Sequence, residues 1–292
     1  MASSDKKSEV GTQLYCLIGH NVEYSLSPEI HNAAFQALGI RAVYIVLNIP
    51  PPILPDLISS FKRIGVSGFN ITIPHKESII PLLDKVDSMA TKTGAVNTVI
   101  SKGRKLYGYN TDVYGVLKPL QSRGVNIKKS KALILGGGGT ARACATALAS
   151  NGCKEITILN RDARRAERLA TSVRKAFHIK CHHSALNKIS SSKAIEDCNL
   201  VFNATPVGGR NLEEETPIPT NNLTEGHVVF DAVYRPYKTK LLRLAEKKGS
   251  MTIPGFEMLL EQGAASFELW TGLDAPKEVM RDNVMKSLVG KV

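Results

Sequence analysis

The sequence has no run of about 20 apolar residues, which is the length that an α-helix needs to cross a bilayer. Residues 1–10 are polar and contain no apolar core or small-residue cleavage site. We therefore expect a disordered tail there rather than a secretory signal. With 292 residues, 43% of them hydrophobic, the chain is expected to form a soluble globular protein of one large or two medium domains.

Cysteine is scarce and has no paired spacing. The five cysteines are Cys16, Cys144, Cys153, Cys181 and Cys198. An odd number without a C-x-x-C pair argues against a disulfide framework and for a reducing compartment, so we expect a cytoplasmic protein. Cys181, His182 and His183 are adjacent and have no second ligand cluster, which gives poor coordination geometry. No metal site is therefore predicted.

Acidic residues are outnumbered, with 26 Asp and Glu against 38 Lys and Arg and a formal net charge of +12. Such a balance suits a nucleic-acid-binding protein, but it suits the binding of anionic small molecules equally well. The basic residues are spread along the chain, and no aromatic-rich basic stretch resembles an RNA-binding platform. We expect a solvated basic surface and neither a nucleic acid nor a membrane as partner.

Short apolar runs alternate with amphipathic helical patterns along the chain. Strands are predicted at residues 14–18, 42–48, 68–73, 98–101, 105–109, 132–135, 155–159, 200–203 and 228–231. Helices are predicted from about Pro28, at 53–64, 75–83, 89–93, 114–123, 257–268 and 276–289, and between the later strands. This alternation predicts βαβ units with right-handed crossovers in a doubly wound sheet. We therefore predict two α/β domains with a boundary near residue 113.

A glycine run lies between an apolar strand and an Ala-rich helix. The dinucleotide-binding pattern G-x-G-x-x-G/A is met at Gly136, Gly138 and Ala141. The rest of this candidate loop consists of Gly137, Gly139 and Thr140. Backbone without side chains lets a pyrophosphate approach the helix N-terminus, where unsatisfied N–H groups and the helix dipole favour an anion. The second domain is therefore predicted to be a Rossmann-type dinucleotide-binding domain.

The end of the next strand bears on the choice between NAD and NADP. NAD-binding proteins usually place Asp or Glu there, to accept a hydrogen bond from the ribose 2′-OH. Here Asn160 is followed by Arg161, and Arg161 with Arg164 or Arg165 can clamp a 2′-phosphate through charge-assisted hydrogen bonds. Asp162 leaves NAD open, although it can equally cap the following helix. We predict NADP, in contact with Asn160 and these arginines.

Four polar segments lie at the edges of predicted strands and helices. They are residues 25–28, 70–76, 95–98 and 108–112. Each alone is explained by a helix cap, a strand end or a turn, but together they offer hydroxyls, amides, Lys76 and Asp112. Such a set suits a small polyhydroxylated molecule that bears a carboxylate. Lys76 beside Asp112 also suits proton transfer during the reduction of a carbonyl to an alcohol.

These segments resemble the sequence motifs of the shikimate dehydrogenase family. The shared motifs are Ser25-x-Ser27-Pro28, Asn70-x-Thr72-x-Pro74-His75-Lys76, Gly94-Ala95-Val96-Asn97-Thr98, Gly108-x-Asn110-Thr111-Asp112, Asn203-Ala204-Thr205-Pro206, Asp231-x-Val233-Tyr234-x-Pro236, and Gln262-Gly263-Ala264 with Trp270-Thr271-Gly272. They follow the family's order from about Leu14 to the C-terminus. The resemblance implies an NADP-dependent oxidoreductase that reversibly reduces 3-dehydroshikimate to shikimate, in the pathway to chorismate and the aromatic amino acids.

The resemblance also implies a division of the chain and a role for each matching position. Residues 12–113 would form the substrate-binding and catalytic domain, joined by the C-terminal helices at 256–292, and residues 114–255 the NADP-binding domain. Lys76 would donate and accept the proton at the reacting oxygen, paired with Asp112. The substrate carboxylate would be held by Ser25 and Ser27. Its hydroxyls would contact Thr72, Asn97, Asp112 and Gln262, with Tyr234 nearby. The nicotinamide side would be lined by Asn203, Ala204, Thr205, Val233 and Gly255.

Three alternatives stay open on the sequence. The first is a quinate or quinate/shikimate dehydrogenase using NAD. Family members that accept quinate tend to replace the second serine with a smaller or differently branched residue, so Ser27 favours shikimate. The second is a catalytically silent ligand-binding module, against which Lys76 and Asp112 argue, because binding alone does not need a proton-transfer pair. A nucleic-acid-binding role is the third. The sequence leaves the oligomeric state open between a monomer and a homodimer.

Overall fold

The computed structural model describes residues 11–290, so the predicted tail at residues 1–10 lies outside the described residues. The strands are β1 (Gln13–Gly19), β2 (Ala42–Asn48), β3 (Gly68–Ile71), β4 (Lys85–Val86), β5 (Thr98–Lys102), β6 (Lys105–Tyr109), β7 (Lys131–Leu135), β8 (Glu155–Asn160), β9 (Lys180–Ala185), β10 (Leu200–Asn203), β11 (Val228–Asp231) and β12 (Met251–Pro254). The helices are α1 (Ser27–Ala37), α2 (Leu54–Ile64), α3 (Ser88–Thr93), α4 (Asp112–Ser122), α5 (Gly139–Ser150), α6 (Ala163–Phe177), α7 (Lys188–Glu196), α8 (Lys240–Lys247), α9 (Gly255–Thr271) and α10 (Lys277–Val289).

The twelve strands form two six-stranded sheets. The first has the order β2-β1-β3-β5-β6-β4 and is mixed, because β5 pairs antiparallel with both β3 and β6. The second has the order β12-β11-β10-β7-β8-β9, and all five of its pairings are parallel. Strand order reverses between β7 and β10, which is the topological switch point where such sheets bind ligands. The predicted two-domain α/β class with a Rossmann-type sheet is confirmed.

The C-terminal helices pack on the first sheet's side of the molecule. Phe256, Leu260 and Phe267 of α9 share one buried apolar cluster with Tyr15 of β1 and Phe35 of α1. Helix α10 also packs against α1. Helix α4 contacts both α9 and α5, and it therefore joins the two halves of the molecule. These contacts bring residues from both ends of the described chain to one site.

Three details of the sequence prediction were wrong. The helix predicted at residues 75–83 is a series of turns followed by a short 3₁₀ helix at Ile80–Leu82. Pro81 lacks the N–H that an α-helix would need at that position. The strand predicted at 68–73 ends at Ile71. The edge strands β4, β9 and β12 were missed; β9 reads Lys-Cys-His-His-Ser-Ala, too polar to stand out as a buried strand.

No helix among residues 11–290 is long and apolar enough to span a membrane.

Candidate active site

The centre of the site is an ion pair between Lys76 and Asp112. Their Nζ and Oδ2 atoms are 2.6 Å apart, and the two side chains are only 12% and 6% exposed. Lys76 lies in the loop after β3, which is anchored where the buried imidazole of His75 donates from Nε2 to the carbonyl of Ile49. Asp112 is the first residue of α4, where the helix N-terminus favours a carboxylate. The structure thus holds an ammonium and a carboxylate together where both are largely buried from solvent.

The second oxygen of Asp112 is held by Asn97. Asn97 Nδ2 donates to Asp112 Oδ1 at 2.9 Å and lies 3.3 Å from Oε1 of Gln262. Because Asn97 directly precedes β5, Asp112 is on α4 and Gln262 is on α9, three separate parts of the chain converge here. The structure therefore brings together four of the predicted site residues: Lys76, Asn97, Asp112 and Gln262.

Ser25, Ser27 and Tyr234 form a second group. The Ser25 hydroxyl donates to Ser27 Oγ at 3.2 Å. Burial raises the pKa of Tyr234 to about 12, although a hydrogen bond with Ser25 opposes that rise. Tyr234 is therefore a neutral hydroxyl at physiological pH, and it faces the two serines across the fold. Two hydroxyls and a phenol in one place can surround a carboxylate with neutral donors.

A buried tyrosine connects the two groups. Burial raises the pKa of Tyr44 well above its usual value, and a hydrogen bond with Ser27 partly offsets this. The Tyr44 hydroxyl donates to Asn70 Oδ1 at 2.8 Å, and Asn70 Nδ2 donates to the carbonyl oxygen of Asn97 at 3.0 Å. The serines and the Lys76–Asp112 pair are thus ends of one hydrogen-bonded network. The sequence analysis did not assign a role to Tyr44 or Asn70.

Thr72 lies where β3 ends, beside β1. Its backbone N–H donates to the carbonyl of Ile18 at 2.9 Å, and its own carbonyl accepts from the N–H of His75. Its methyl group lies over Gly19, where an added Cβ would come within 2.5 Å of Thr72 Cγ2. The glycine at position 19 therefore lets Thr72 sit at the end of the strand.

A cleft of about 840 Å³ opens at the switch point of the second sheet. Nine of the predicted cofactor residues line it: Gly136, Gly137, Gly138, Gly139, Asn160, Arg161, Arg165, Ala204 and Thr205. Lys76 lines the same cleft, and a Cβ added at Gly139 would come within 2.7 Å of Lys76 Cδ. Lys76 of the ion pair and the glycine loop are therefore in direct contact.

The glycine loop fits a dinucleotide. Gly136 has a φ of +121°, and a Cβ there would lie 2.8 Å from the backbone oxygen of Ala204. A Cβ on Gly138 would meet nothing within 4 Å, so the backbone there borders open space. Helix α5 follows at once, without a side-chain cap on its N-terminal N–H groups. Bare backbone and uncapped amides are what a pyrophosphate needs.

The basic end of the cleft carries Arg161 and Arg165, with Asn160 beside them. Gly137 packs against Asn160 and Arg165, which places the loop next to the arginines. Asp162 accepts from the backbone N–H of Arg164 at 2.9 Å and so caps helix α6. One oxygen of Asp162 is thereby engaged in the cap, and a cationic surface is left for a 2′-phosphate.

Six predicted cofactor residues do not line the cleft, namely Thr140, Ala141, Arg164, Asn203, Val233 and Gly255. Ala141 is buried in the core, as the tight packing of helix on sheet requires. Asn203 supports Thr205 by accepting from its N–H at 3.0 Å and its hydroxyl at 2.6 Å. A Cβ on Gly255 would lie 2.6 Å from the backbone of Ala232, so this glycine permits a close backbone approach. The motifs alone do not distinguish residues that line the cleft from residues that hold the lining residues in place.

Asp231 is a second buried carboxylate on the cofactor side. It accepts from Asn203 Nδ2 at 2.9 Å, from the N–H of Val233 at 3.0 Å and from the Thr239 hydroxyl at 2.6 Å. Burial raises the pKa of Asp231 to about 6, and the three hydrogen bonds oppose that rise. Unlike Asp112, it has no cation among the partners that the described residues supply.

Several cleft residues carried no sequence motif. They are Glu77, Leu186, Asn187, Lys188, Ser191 and members of the segment 212–219. Arg142 pairs with Glu77 at 2.9 Å, which links α5 to the loop that carries Lys76. For Arg142 the sequence offered only a basic residue next to the glycine loop, and for Glu77 only an acidic residue next to Lys76. Residues 186–191 follow β9, an edge strand that the sequence pattern did not reveal, and the segment 212–219 lies in the long connection after β10.

Family models match most of the chain. A model described as the shikimate dehydrogenase substrate binding domain matches residues 17–99, and one described as shikimate / quinate 5-dehydrogenase matches residues 119–231. A third, described as the shikimate 5'-dehydrogenase C-terminal domain, matches residues 255–285. The three matches follow one another along the chain and do not overlap.

Relatives of known name match nearly the whole length. The shikimate dehydrogenase (NADP(+)) of Moorella thermoacetica is 43% identical over 97% of this chain and 95% of its own length. A crystal structure of shikimate dehydrogenase in complex with NADP+ superposes with a TM-score of 0.87 at 36% identity, covering 95% of this chain and 96% of the other. Quinate dehydrogenase from Corynebacterium glutamicum, in complex with NAD, has a TM-score of 0.86 at 31% identity, covering 94% and 99%.

Proposed function

The chain belongs to the shikimate dehydrogenase family, and on that premise we propose that Lys76 and Asp112 carry out the proton transfer of its reaction. The protein is an NADP-dependent oxidoreductase acting on a CH–OH group, which interconverts 3-dehydroshikimate and shikimate. The observation that carries the catalytic assignment is the 2.6 Å pair of Lys76 Nζ and Asp112 Oδ2, packed against Gly139 of the cofactor loop.

Lys76 acts at the reacting oxygen of the substrate. In the direction of reduction, negative charge develops on the ketone oxygen, and the Lys76 ammonium stabilises this charge and then donates the proton. In the reverse direction the neutral amine accepts the hydroxyl proton. Asp112 orients the ammonium through Oδ2, while its Oδ1 is held by Asn97. A positioned acid of this kind is worth about 10²–10⁴-fold in rate.

The rest of the substrate is held by neutral polar groups. Ser25 and Ser27 hold the carboxylate, with the Tyr234 hydroxyl beside them. The ring hydroxyls are bound by Asn97 and Gln262, together with Thr72 and Asp112. Neutral donors around the carboxylate leave Lys76 as the cation closest to the reacting carbon–oxygen bond, so charge is concentrated where it changes during the reaction.

The second sheet holds the cofactor. NADPH, when bound, supplies the hydride that reduces the ketone carbon. Its pyrophosphate would be held by backbone N–H groups of the loop from Gly136 to Gly139, and its 2′-phosphate by Arg161 and Arg165. The cleft-lining residues Ala204 and Thr205 border the nicotinamide end. Lys76 lines the same cleft, at the place where substrate and cofactor would meet.

A crossed steady-state assay tests the substrate and cofactor assignments together. Reduced nicotinamide is followed by absorbance with shikimate or quinate as substrate and NADP⁺ or NAD⁺ as cofactor. We expect turnover confined largely to shikimate with NADP⁺. A preference for quinate or NAD⁺ would instead support the alternative activity, the one for which the similar Corynebacterium glutamicum protein is named. Folded protein without turnover in any combination would support a silent binding module and contradict the proposal.

The proposal extends to the limits of the two domains, the cellular compartment and the oligomeric state. We take residues 12–113 and 256–292 as the substrate-binding and catalytic domain and residues 114–255 as the cofactor domain. The free cysteines, of which four are buried, support a reducing compartment and hence a cytoplasmic enzyme. The small-molecule site is complete within one chain, which supports a monomer or homodimer without a nucleic-acid partner. Light scattering coupled to size-exclusion chromatography measures the oligomeric state directly.

A further inference from the structure

Behind the Lys76–Asp112 pair lies a triangle of three buried hydroxyls. Thr98 Oγ1 is 3.0 Å from Thr111 Oγ1 and 2.8 Å from Ser266 Oγ, and the last two atoms are 3.0 Å apart. Thr98 and Ser266 are fully buried, so solvent cannot satisfy their hydroxyls. The three residues come from β5, from the residue before α4 and from α9. The triangle therefore fastens together the three elements that carry Asn97, Asp112 and Gln262.

One assignment of hydrogens satisfies every group of the triangle. Ser266 donates to the carbonyl of Gln262 at 2.9 Å, and Thr98 donates to Asn97 Oδ1 at 3.0 Å. Thr111 then donates within the triangle. Asn70 Nδ2, 3.1 Å from both Thr98 Oγ1 and Ser266 Oγ, supplies a further hydrogen from behind. A buried network in which each donor has an acceptor is rigid, because any rotation leaves a group unpaired.

The network fixes which way the Asn97 amide faces. The backbone N–H of Thr111 can only donate, and it lies 2.7 Å from Asn97 Oδ1, so that atom is the amide oxygen. Thr98 supplies the second donor to the same oxygen. Asn97 Nδ2 must then face Thr111 Oγ1 and Asp112 Oδ1, each at 2.9 Å. The Asp112 carboxylate is thereby held with its other oxygen toward Lys76.

We propose that Thr98 is a positioning residue for the reaction: its hydroxyl, set by Asn70, Thr111 and Ser266, holds Asn97 in the orientation that aims Asp112 at Lys76. Thr98 reaches the reacting atoms only through Asn97 and Asp112. This inference rests on the proposed roles of Lys76 and Asp112, and it adds a group that acts on the chemical step from outside the pocket.

The test compares Thr98→Val, which keeps the shape and removes the hydroxyl, with Thr98→Ser, which keeps the hydroxyl and removes a methyl group. In Thr98→Val we expect kcat for reduction of 3-dehydroshikimate to fall by about tenfold to a hundredfold, because small displacements of catalytic groups have effects of this size. The shape of its pH–rate profile should also change, because Thr98 acts through Asn97 on the carboxylate that contacts Lys76. The KM for NADPH should stay unchanged, and Thr98→Ser should restore kcat to within about threefold of the wild type.

Two further variants keep the test decisive. Ser266→Ala removes a neighbouring hydroxyl on another element. If Thr98→Val does not fold, Ser266→Ala tests the network in its place, and we expect a fall in kcat smaller than the one predicted for Thr98→Val. Thr91→Val is the matched control, because the exposed Thr91 hydroxyl only bonds the carbonyl of Asp87 on the surface. A Thr98→Val enzyme that melts at a lower temperature but keeps its kcat and its pH profile would overturn the positioning role alone. A wild-type protein without turnover would overturn the proposed function and, with it, this inference.

Discussion

The substrate side and the cofactor side of this molecule are built by opposite means. Around Lys76 and Asp112 the groups are side chains, mostly buried, that already hydrogen-bond one another. Around the glycine loop the structure presents bare backbone, and the exposed Arg161 and Arg165 line an open cleft. The first region is suited to one small substrate, because its buried side chains already hold one another in place by hydrogen bonds. The second accepts a long, charged ligand because its backbone and arginines are accessible.

This difference has a consequence for enzyme kinetics. Where groups are preorganised and buried, a substitution disturbs the geometry of the chemical step and should change kcat. Where the ligand is held by accessible backbone and surface charge, a substitution should change the KM for the cofactor. The two regions meet where Lys76, the proposed proton donor, packs against Gly139 of the glycine loop. Five substitutions, in four experiments, test this contrast.

The largest effect is expected for Lys76→Met, which keeps the aliphatic stem against Gly139 and removes the ammonium. We expect kcat to fall by about 10²–10⁴-fold, the usual contribution of a positioned acid. The KM for NADPH should hardly change, because the stem still packs on the loop. Steady-state kinetics measures both, with the exposed Lys102→Met as control. A comparable rise in the KM for NADPH would show that the two regions are not separable.

The buried carboxylate of Asp231, on the cofactor side, should link the stability of the fold to pH. The folded pKa of Asp231 is raised to about 6 from an unfolded value near 3.8. Its protonated form therefore stabilises the fold below about pH 4, and this contribution is lost as the pH rises through about 6. The upper bound is about 3 kcal/mol, at 1.36 kcal/mol per pKa unit. Chemical denaturation of the wild type and Asp231→Asn at pH 4 and pH 7 measures it. An equal pH dependence in both proteins would contradict the assignment.

On the cofactor side, Arg161→Ala should weaken NADP⁺ selectively. A charge-assisted hydrogen bond contributes about 1.5–3 kcal/mol, which corresponds to roughly tenfold to a hundredfold in KM for NADP⁺. The KM for NAD⁺, which lacks the 2′-phosphate, should be unchanged, and kcat should be nearly so. Arg168→Ala, on the exposed face of α6 outside the cleft, is the matched control. If both cofactors were weakened equally, the 2′-phosphate contact would lie elsewhere.

The smallest effects separate two glycines of the loop. Gly136→Ala places a side chain at a φ of +121° and 2.8 Å from a backbone oxygen, so it should destabilise the apoprotein by about 1–3 kcal/mol. Gly138 has a φ of −97° and open space around its Cβ position. Gly138→Ala should therefore keep the melting temperature and raise the KM for NADP⁺. Thermal melting with cofactor titration measures both; equal melting losses would contradict the distinction.

Much of this architecture followed from local patterns. The strands at 42–48, 105–109, 200–203 and 228–231 have the predicted limits, because short apolar runs between turn residues identify strands well. The turns after Pro74 were predicted as a helix, since the pattern was read across Pro81. Strand β9 was missed because an edge strand needs few apolar residues. The first failure comes from a local proline, whereas the second comes from tertiary pairing, which local periodicity does not contain.

The sequence by itself determined the chemistry of this protein: a glycine loop before a helix, basic residues after the next strand, and polar motifs carrying Lys76 and Asp112. Only the tertiary structure decided which of those residues touch one another. Thr98, Thr111 and Ser266 are separated by up to 168 residues, yet their hydroxyls form one triangle. Such a contact depends on how α9 packs between α4 and β5. Hydrogen bonding between distant segments leaves no periodic trace in the chain, and so the groups that orient Asp112 became visible only in the folded molecule.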